Sequence, residues 1–168
     1  MTHANRGRSW EGAIDAMHAL YEASGRASCI RNPAPMKPLG PGVRGVFRAA
    51  YVAEGPPDYS VQAGGVAYLF DAKSAAGPRW GLDNVKDHQA GRFSRHEVQG
   101  GVAFVLLRLG RRMWLLPWAR LSPGWYEWRR GFAGRGEASL TDESLAVVGV
   151  ELRSPDWLAV VRDVGAGA

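Results

Sequence analysis

Residues 57–73 of the chain read PDYSVQAGGVAYLFDAK. Residues of high β-propensity stand on both sides of Ala63-Gly64-Gly65, which predicts an antiparallel hairpin with a tight turn. Asp58 begins the first strand and Asp71 lies near the end of the second, so the hairpin brings the two carboxylates together at its open end. Asp71 and Lys73 are two residues apart on one strand, so their side chains share a face.

This arrangement suits a metal-dependent reaction at a phosphate. Two carboxylates a few ångströms apart repel each other unless a cation lies between them, and their oxygens suit Mg²⁺. Lys73 would stand beside the water and the scissile phosphate, where an ammonium balances charge or helps to deprotonate the water. Pro57-Asp58, twelve residues and then Asp71-Ala72-Lys73 match the PD-(D/E)xK pattern of nucleases. A solvated Asp-x-Lys ion pair at a strand end explains the spacing too, so both interpretations stay open.

Composition narrows the class of protein. The chain has 168 residues, of which 46% are hydrophobic and 22% charged, and this predicts one globular domain over residues 1–168. Its single cysteine, Cys29, excludes an internal disulfide and a cysteine-rich zinc site. The four histidines show no metal-binding spacing, and no glycine loop precedes a Lys-Ser/Thr pair. No run of apolar residues is long enough for a membrane span. We therefore expect a cytoplasmic protein without a secretory signal or membrane contact.

The net charge of +5 is concentrated in two stretches. Residues 26–48 hold five cations and no acid, and residues 108–135 hold seven arginines against Glu127. Such stretches are typical of a surface that faces a polyanion. Charge alone favours nucleic acid as the partner without establishing it.

The remaining patterns predict a mixed central sheet flanked by helices, an α/β architecture. A helix over Ser9–Ser24 and a short strand over Arg26–Arg31 precede a Pro-rich segment, residues 33–47, that is expected to form an ordered loop or projecting arm. Beyond the hairpin and a loop over Ser74–Gly81 we expect a helix from Asp83 to Gln99, strands over Val102–Arg108 and Met113–Pro117, and short helices after Thr141 and Asp156. Residues 129–168 are interpreted as a C-terminal extension.

Together these motifs resemble the RecU-type Holliday junction resolvases of the PD-(D/E)xK nuclease superfamily. The similar segments are Asn5-Arg6-Gly7 with Trp10-Glu11, Arg31-Asn32-Pro33-Ala34-Pro35, Ala50-Tyr51, Pro57-Asp58-Tyr59, Phe70-Asp71-Ala72-Lys73, Leu82 to Gln89, Gly100 to Val105 and Trp114 to Pro117. They span about residues 5–128 in the family's order, and the resemblance fades in the tail.

The resemblance implies a restriction-endonuclease-like core and a homodimer that nicks four-way (Holliday) DNA junctions symmetrically during homologous recombination and repair. It implies Mg²⁺ as the cofactor, with Mn²⁺ able to substitute. The catalytic residues implied are Asp58, Asp71, Lys73, Gln89 and Glu11, and the metal ligands are Asp58, Asp71 and Gln89. The host would be a bacterium or its phage, with the enzyme near the nucleoid.

DNA contacts are expected from the basic stretches and from the arm. The predicted phosphate contacts are Arg6, Arg31, Lys37, Arg44, Arg48, Arg79, Arg111 and Arg112. In the resembled family the region matching residues 33–47 forms a stalk that enters the open centre of a junction, so we expect the arm to supply selectivity for junctions.

Three departures from the family pattern bear on these expectations. The family usually has Glu where this chain has Asp71, commonly has Thr where it has Pro57, and has a longer stalk than residues 33–47 provide. Purely structural roles also remain open for four of these residues. Gln89 could make a polar contact on its helix face, Glu11 could be an acid favoured in the first turn of a helix, and Arg111 and Arg112 could lie in a solvated turn. The alternative functions are a PD-(D/E)xK nuclease acting on flaps or duplex DNA, and a non-catalytic DNA-binding architectural protein.

Overall fold

The computed structural model describes residues 3–41, 43–44, 46, 48–51, 53–131 and 138–165, with side chains described from residue 10 to residue 162 of these ranges. The helices are α1 (His3–Ala23), α2 (Asp87–Val98), α3 (Trp118–Arg129), α4 (Asp142–Val148) and α5 (Leu158–Gly165), with a 3₁₀ turn over Leu82–Asn84. The strands are β1 (Ser28–Arg31), β2 (Met36–Pro38), β3 (Ala49–Tyr51), β4 (Tyr59–Ala63), β5 (Val66–Ala75), β6 (Arg79–Gly81), β7 (Val102–Leu109), β8 (Arg112–Pro117), β9 (Ser139–Thr141) and β10 (Val150–Leu152).

Six of the strands form the central mixed sheet, in the order β1-β4-β5-β7-β8-β10. Strands β5 and β7 run parallel, with α2 in the crossover between them, and every other neighbouring pair is antiparallel. The hairpin β4–β5 turns at Gly64 and Gly65, whose φ angles of 57° and 81° lie in the left-handed region that favours glycine. The hairpin predicted from residues 57–73 is confirmed, and it lies in the middle of the sheet.

Helices cover both faces of this sheet. On one face Trp10 and Ile14 of α1, together with Trp157 and the following helix α5, pack against Phe70 of β5 and Phe104 of β7. The other face carries α2, α3 and α4, with Phe93, Trp118 and Leu145 in its core. Because side chains alternate along a strand, Phe70 and Ala72 face α1, whereas Leu69, Asp71 and Lys73 face α2. We refer to these as the α1 face and the α2 face.

The Pro-rich segment forms a separate two-stranded sheet. Strand β2 pairs with β3 in antiparallel register, and the ladder continues through the Leu39 N–H, which donates to the Arg48 carbonyl at 2.8 Å. Pro38 is tolerated because this small sheet has only edge strands. The side chains of Met36, Leu39 and Tyr51 are more than half exposed, and no described residue of this hairpin belongs to either core cluster.

Several expected element boundaries were wrong. Helix α2 begins at Asp87 rather than at Asp83, which lies in the 3₁₀ turn, and the expected loop over residues 74–81 contains the end of β5 and all of β6. Helix α3 was not predicted, although Trp118, Leu121 and Trp125 follow helical spacing and Pro123 lies inside the helix. Residues 129–168 were interpreted as a C-terminal extension. Part of this segment belongs to the core, because β10 pairs with β8 in the central sheet and Trp157 is buried.

No helix of the described ranges combines the length and the apolar character that a bilayer span requires.

A buried histidine on the α1 face makes stability depend on pH. His18 is 5% exposed, and its Nε2 accepts a hydrogen bond from Trp157 Nε1 at 3.2 Å. Burial lowers the pKa of His18 to about 4, against the opposing charges of Asp15 and Glu22. Below about pH 6.5 the unfolded chain therefore binds a proton that the folded chain does not.

We expect this difference to remove about 2 kcal/mol of unfolding free energy between pH 7.5 and pH 5. Urea unfolding of wild type and His18→Gln at both pH values measures it, since Gln can still accept from Trp157 but does not titrate. The variant should lose less stability than wild type over this interval, and equal losses would contradict the assignment.

Candidate active site

Two carboxylates face each other at the open end of the β4–β5 hairpin. Asp58 immediately precedes β4 and stands opposite Asp71 of β5, one step beyond the paired residues Tyr59 and Phe70. The Asp58 N–H donates to Asp71 Oδ1 at 2.8 Å, and the Ala72 N–H donates to Asp58 Oδ2 at 2.9 Å. Each carboxylate is thus oriented by a backbone donor from the strand of the other, so the hairpin register itself fixes the pair.

The negative charge of the Asp58–Asp71 pair is only partly compensated by neighbouring groups. Burial, and next the Asp71 carboxylate, raise the pKa of Asp58 to about 6, although the Ala72 N–H and the Lys73 ammonium oppose the rise. Asp71 is 0% exposed, and its Oδ2 is buried without a hydrogen-bond donor. A buried carboxylate oxygen in this state is costly unless a cation neutralises it.

Lys73 supplies part of that positive charge. Its Nζ lies 3.3 Å from Asp71 Oδ2, and its side chain is 22% exposed. Because Lys73 shares the α2 face with Asp71, the ammonium lies beside the carboxylate pair and remains in contact with solvent. The structure therefore brings together three of the predicted site residues, Asp58, Asp71 and Lys73.

Gln89 has a hydrogen bond of its own. It occupies the third position of α2, and its Oε1 accepts from the Lys86 N–H at 3.0 Å, as part of a cap on the start of the helix. The neighbouring His88 places Nδ1 3.0 Å from Glu54 Oε2. In the described residues no hydrogen bond joins Gln89 to the carboxylate pair, so its metal role stays a prediction.

Glu11 and Arg31 form an ion pair with each other. Arg31 forms salt bridges with Glu11 and with Asp15, the latter at 2.8 Å, and the Tyr59 hydroxyl donates to Asp15 at 2.7 Å. This cluster holds α1 against β1 and β4. Glu11 is near enough to Asp58 to contribute the smallest of the charge effects that raise its pKa, and its role as an outer ligand stays a prediction.

The other predicted DNA contacts fall into three groups. Arg79 and Arg112 have internal partners: Arg79 donates to Ser139, and Arg112 pairs with Asp142 and Glu151 and lies over the Trp114 ring at 4.7 Å. Arg111 is exposed at the β7–β8 turn, and Lys37, Arg44 and Arg48 are exposed on or beside the Pro-rich hairpin. The Arg6 side chain lies outside the described residues.

Asn32 is a residue of this region for which the sequence pattern indicated no role. Its backbone N–H donates to the Asp58 carbonyl at 2.8 Å, and its side-chain amide donates to the Pro57 carbonyl at 2.7 Å and to Ser60 Oγ at 2.9 Å. Three hydrogen bonds therefore hold the segment that presents Asp58. The sequence signals for Asn32 were its position beside Pro33, after a strand, and its place in the Arg31-Asn32-Pro33-Ala34-Pro35 segment that resembles the family.

The donor set fits Mg²⁺. Among the described residues no group of three or more His, Cys, Asp or Glu side chains could hold a metal ion. Mg²⁺ does not require one, because it keeps several waters and binds through one or two carboxylates together with substrate phosphate oxygens. Asp58 and Asp71 supply two carboxylates, and Asp71 Oδ2, which accepts no hydrogen bond, is an oxygen that such an ion would satisfy.

The mixed sheet, with helices on both of its faces, has the restriction-endonuclease-like fold. A solved structure of Archaeoglobus fulgidus Hjc, described as a Holliday junction resolvase from an archaeal hyperthermophile, is similar with a TM-score of 0.50. The two are 13% identical over 92% of this chain and 98% of that one, a likeness that concerns the fold alone. No curated protein matches the sequence.

The family model described as recombination protein U, RecU, matches residues 5–154. The chain belongs to the RecU family of Holliday junction resolvases, and it is therefore a nuclease of DNA recombination.

Proposed function

We propose that this protein resolves four-way DNA junctions by paired symmetric nicks, with Mg²⁺ held by Asp58 and Asp71. The observation that carries the proposal is the carboxylate pair, in which the buried Asp71 Oδ2 accepts no hydrogen bond and lies 3.3 Å from Lys73 Nζ. A merely structural ion pair between Asp71 and Lys73 would not need a second carboxylate, that of Asp58, set against the first.

Asp58, Asp71 and Lys73 would have different roles in the reaction. Asp58 and Asp71 hold the cation, with their orientation fixed by the Ala72 and Asp58 N–H groups. When bound, Mg²⁺ supplies positive charge to the phosphate and lowers the pKa of water; Mn²⁺ should replace it at the same oxygens. The Lys73 ammonium stands beside the reacting phosphate and offsets the negative charge that develops there during attack.

We infer a homodimer from the reaction. Two symmetric nicks in one junction require two active sites related by a twofold axis, and this chain offers one Asp-Asp-Lys site. We also infer that the enzyme works in the cytoplasm of a bacterial cell, on host or phage DNA, because recombining DNA is found there.

One gel tests the proposal. Labelled four-way junction, flap and linear duplex DNA are incubated with the protein in Mg²⁺ or in EDTA, and the nick positions on all four strands are mapped. We expect Mg²⁺-dependent cuts at symmetric positions in two opposing strands of the junction, with little cutting of the duplex.

Other outcomes would contradict particular parts of the proposal. Cleavage that persists in EDTA would remove the metal from the mechanism. A preference for flap or duplex over junction would replace the substrate, and junction binding without any cleavage would favour an architectural role.

A further inference from the structure

A groove on the α2 face adjoins the carboxylate pair. It lies between α2 and the β4–β5 hairpin, has a volume of about 370 Å³, and includes Asn32, Pro57, Ser60 and Leu69 in its wall. We call it the α2 groove. No residue of this groove was among the expected DNA contacts.

The strand register joins the groove to the active site. Ser60 and Leu69 are partners across β4 and β5, and Asp58 and Asp71 are the next pair on the same face. Two residues of strand span about 7 Å, a distance comparable with the separation of neighbouring phosphates along one DNA strand. A strand whose scissile phosphate lies at the carboxylate pair can therefore place its next phosphate over Ser60 and Leu69.

Two arginines of α2 give the α2 groove a positive charge. Arg92 and Arg95 line the groove, are exposed, and stand three residues apart on one face of the helix. Neither makes a hydrogen bond or an ion pair with any residue in the described part of the chain. None of the described residues that line the groove is acidic. Arg31 and Arg112, in contrast, are each paired with two carboxylates.

A second groove, at the start of α2, has the opposite character. Its volume is about 330 Å³, and Glu54, Asp83 and Asp87 contribute three carboxylates to its wall. Its cations are engaged, since Arg129 pairs with Asp87 and Lys86 Nζ donates to the Asp83 carbonyl. Phosphates are repelled there, so the charge pattern favours a DNA path along the α2 groove.

We propose that the α2 groove binds a DNA backbone phosphate that neighbours the scissile phosphate, through the guanidinium groups of Arg92 and Arg95. The proposal rests on the proposed function, because it takes the Asp58–Asp71 pair as the site of cleavage. Guanidinium forks hold phosphate oxygens at two points and carry no sequence information. The contact therefore fixes the register of the strand and does not select its bases.

The test pairs a protein change with a DNA change. Arg92→Gln/Arg95→Gln is compared with Arg120→Gln/Arg153→Gln, a control with the same loss of charge at exposed arginines outside the groove. Single neutral methylphosphonates are placed at each of the three phosphates on either side of the mapped nick. Junction binding is measured by fluorescence anisotropy with Ca²⁺ in place of Mg²⁺, over a range of salt concentrations.

We expect one flanking methylphosphonate to weaken the binding of wild type and of the control by about tenfold, and to leave the binding of Arg92→Gln/Arg95→Gln unchanged. The salt slope of the groove variant should be smaller by roughly one, the contribution of one phosphate. The Mg²⁺ midpoint for cleavage should stay that of wild type.

Equal sensitivity of all three proteins at every position would overturn the proposal, as would a groove variant with the wild-type salt slope. If wild type does not cleave, there is no nick from which to choose positions. The methylphosphonates are then placed one at a time along the whole junction arm, and the binding measurement still tests whether Arg92 and Arg95 contact a phosphate. A wild-type protein that does not cleave junctions would refute the proposed function. If wild type cleaves, but the methylphosphonate effect does not depend on Arg92 and Arg95, only the phosphate contact in the α2 groove is refuted.

Discussion

Replacing Asp58 by Asn, or Asp71 by Asn, is expected to lower the rate of junction cleavage about 10³-fold or more while junction binding survives. Each change removes one of the two carboxylates that are proposed to hold the cation, and metal charge stabilisation at a phosphate amounts to several kcal/mol. Neither change touches the exposed arginines. Single-turnover cleavage in Mg²⁺ and anisotropy binding in Ca²⁺ measure the two properties separately.

The stability of Asp58→Asn shows whether a loss of cleavage is due to misfolding, because this variant is expected to fold at least as stably as wild type. Its amide oxygen can still accept the Ala72 N–H, and the repulsion between two carboxylates is gone. The pKa of Asp58 is raised to about 6 in the folded protein from an ordinary value near 3.8. The metal-free protein therefore loses stability as the pH rises from about 4 to 6, where the folded state alone still holds the proton.

Asn does not ionise, so Asp58→Asn should be more stable than wild type at pH 7.5 in EDTA, by roughly 1 to 3 kcal/mol. Mg²⁺ should raise the melting temperature of wild type, because it binds the folded state, and should leave that of the variant almost unchanged. Cleavage retained by both Asn variants would refute the metal site. A less stable Asp58→Asn in EDTA would refute the repulsion between the carboxylates.

Asp71→Glu is the matched variant that keeps the charge. The resembled family usually has Glu at this position, and the longer side chain still offers two oxygens. Asp71 is, however, completely buried and accepts the Asp58 N–H through Oδ1. We expect Asp71→Glu to retain far more activity than Asp71→Asn.

The sequence predicted the placement of Asp58, Asp71 and Lys73 from one local rule. A two-glycine turn fixes the register of β4 against β5, and that register places Asp58 opposite Asp71 and Lys73 on the same face. No long-range packing enters this argument. The same independence explains why the hairpin boundaries were close to correct.

Contacts between distant segments could not be predicted in this way. Arg31 looked like a phosphate contact because no acid is near it in sequence, yet Glu11 and Asp15 approach it from the neighbouring helix. Arg112 meets Asp142 and Glu151 for the same reason. Charge runs along the chain show where cations are, and only tertiary packing shows which of them are already neutralised.

The fold was harder to predict where packing overrides local propensity. Helix α3 contains Pro123 and Gly124, two residues that discourage helices. It forms because Trp118, Leu121 and Trp125 bury against the sheet, and burial of three large apolar side chains outweighs the local cost. Strand β10 is only three residues long and gains its stability from pairing with β8.

The Pro-rich hairpin, β2–β3 with the segment between them, gives the second large expected effect. Its ladder is separate from the central sheet, and Met36, Leu39 and Tyr51 are exposed on it. A hairpin of this kind can enter the open centre of a four-way junction, where four duplex arms leave a space that linear DNA lacks. Prolines limit the conformational freedom that the segment would lose on binding.

Replacing residues 39–48 by a short Gly-Ser turn should therefore lower the preference for four-way junction over duplex at least about tenfold, or 1.4 kcal/mol. The melting temperature and the Mg²⁺ midpoint should change little, because none of the hairpin residues that the structure describes belongs to either core cluster. A companion variant, Lys37→Gln/Arg44→Gln/Arg48→Gln, keeps the hairpin and removes its charge. It should reduce the salt slope of junction binding by up to about 2.7, which is roughly 0.9 for each phosphate that is no longer neutralised. If the Gly-Ser variant keeps the full preference for junctions, selectivity comes from the spacing of the two active sites in the dimer, and the hairpin has another role.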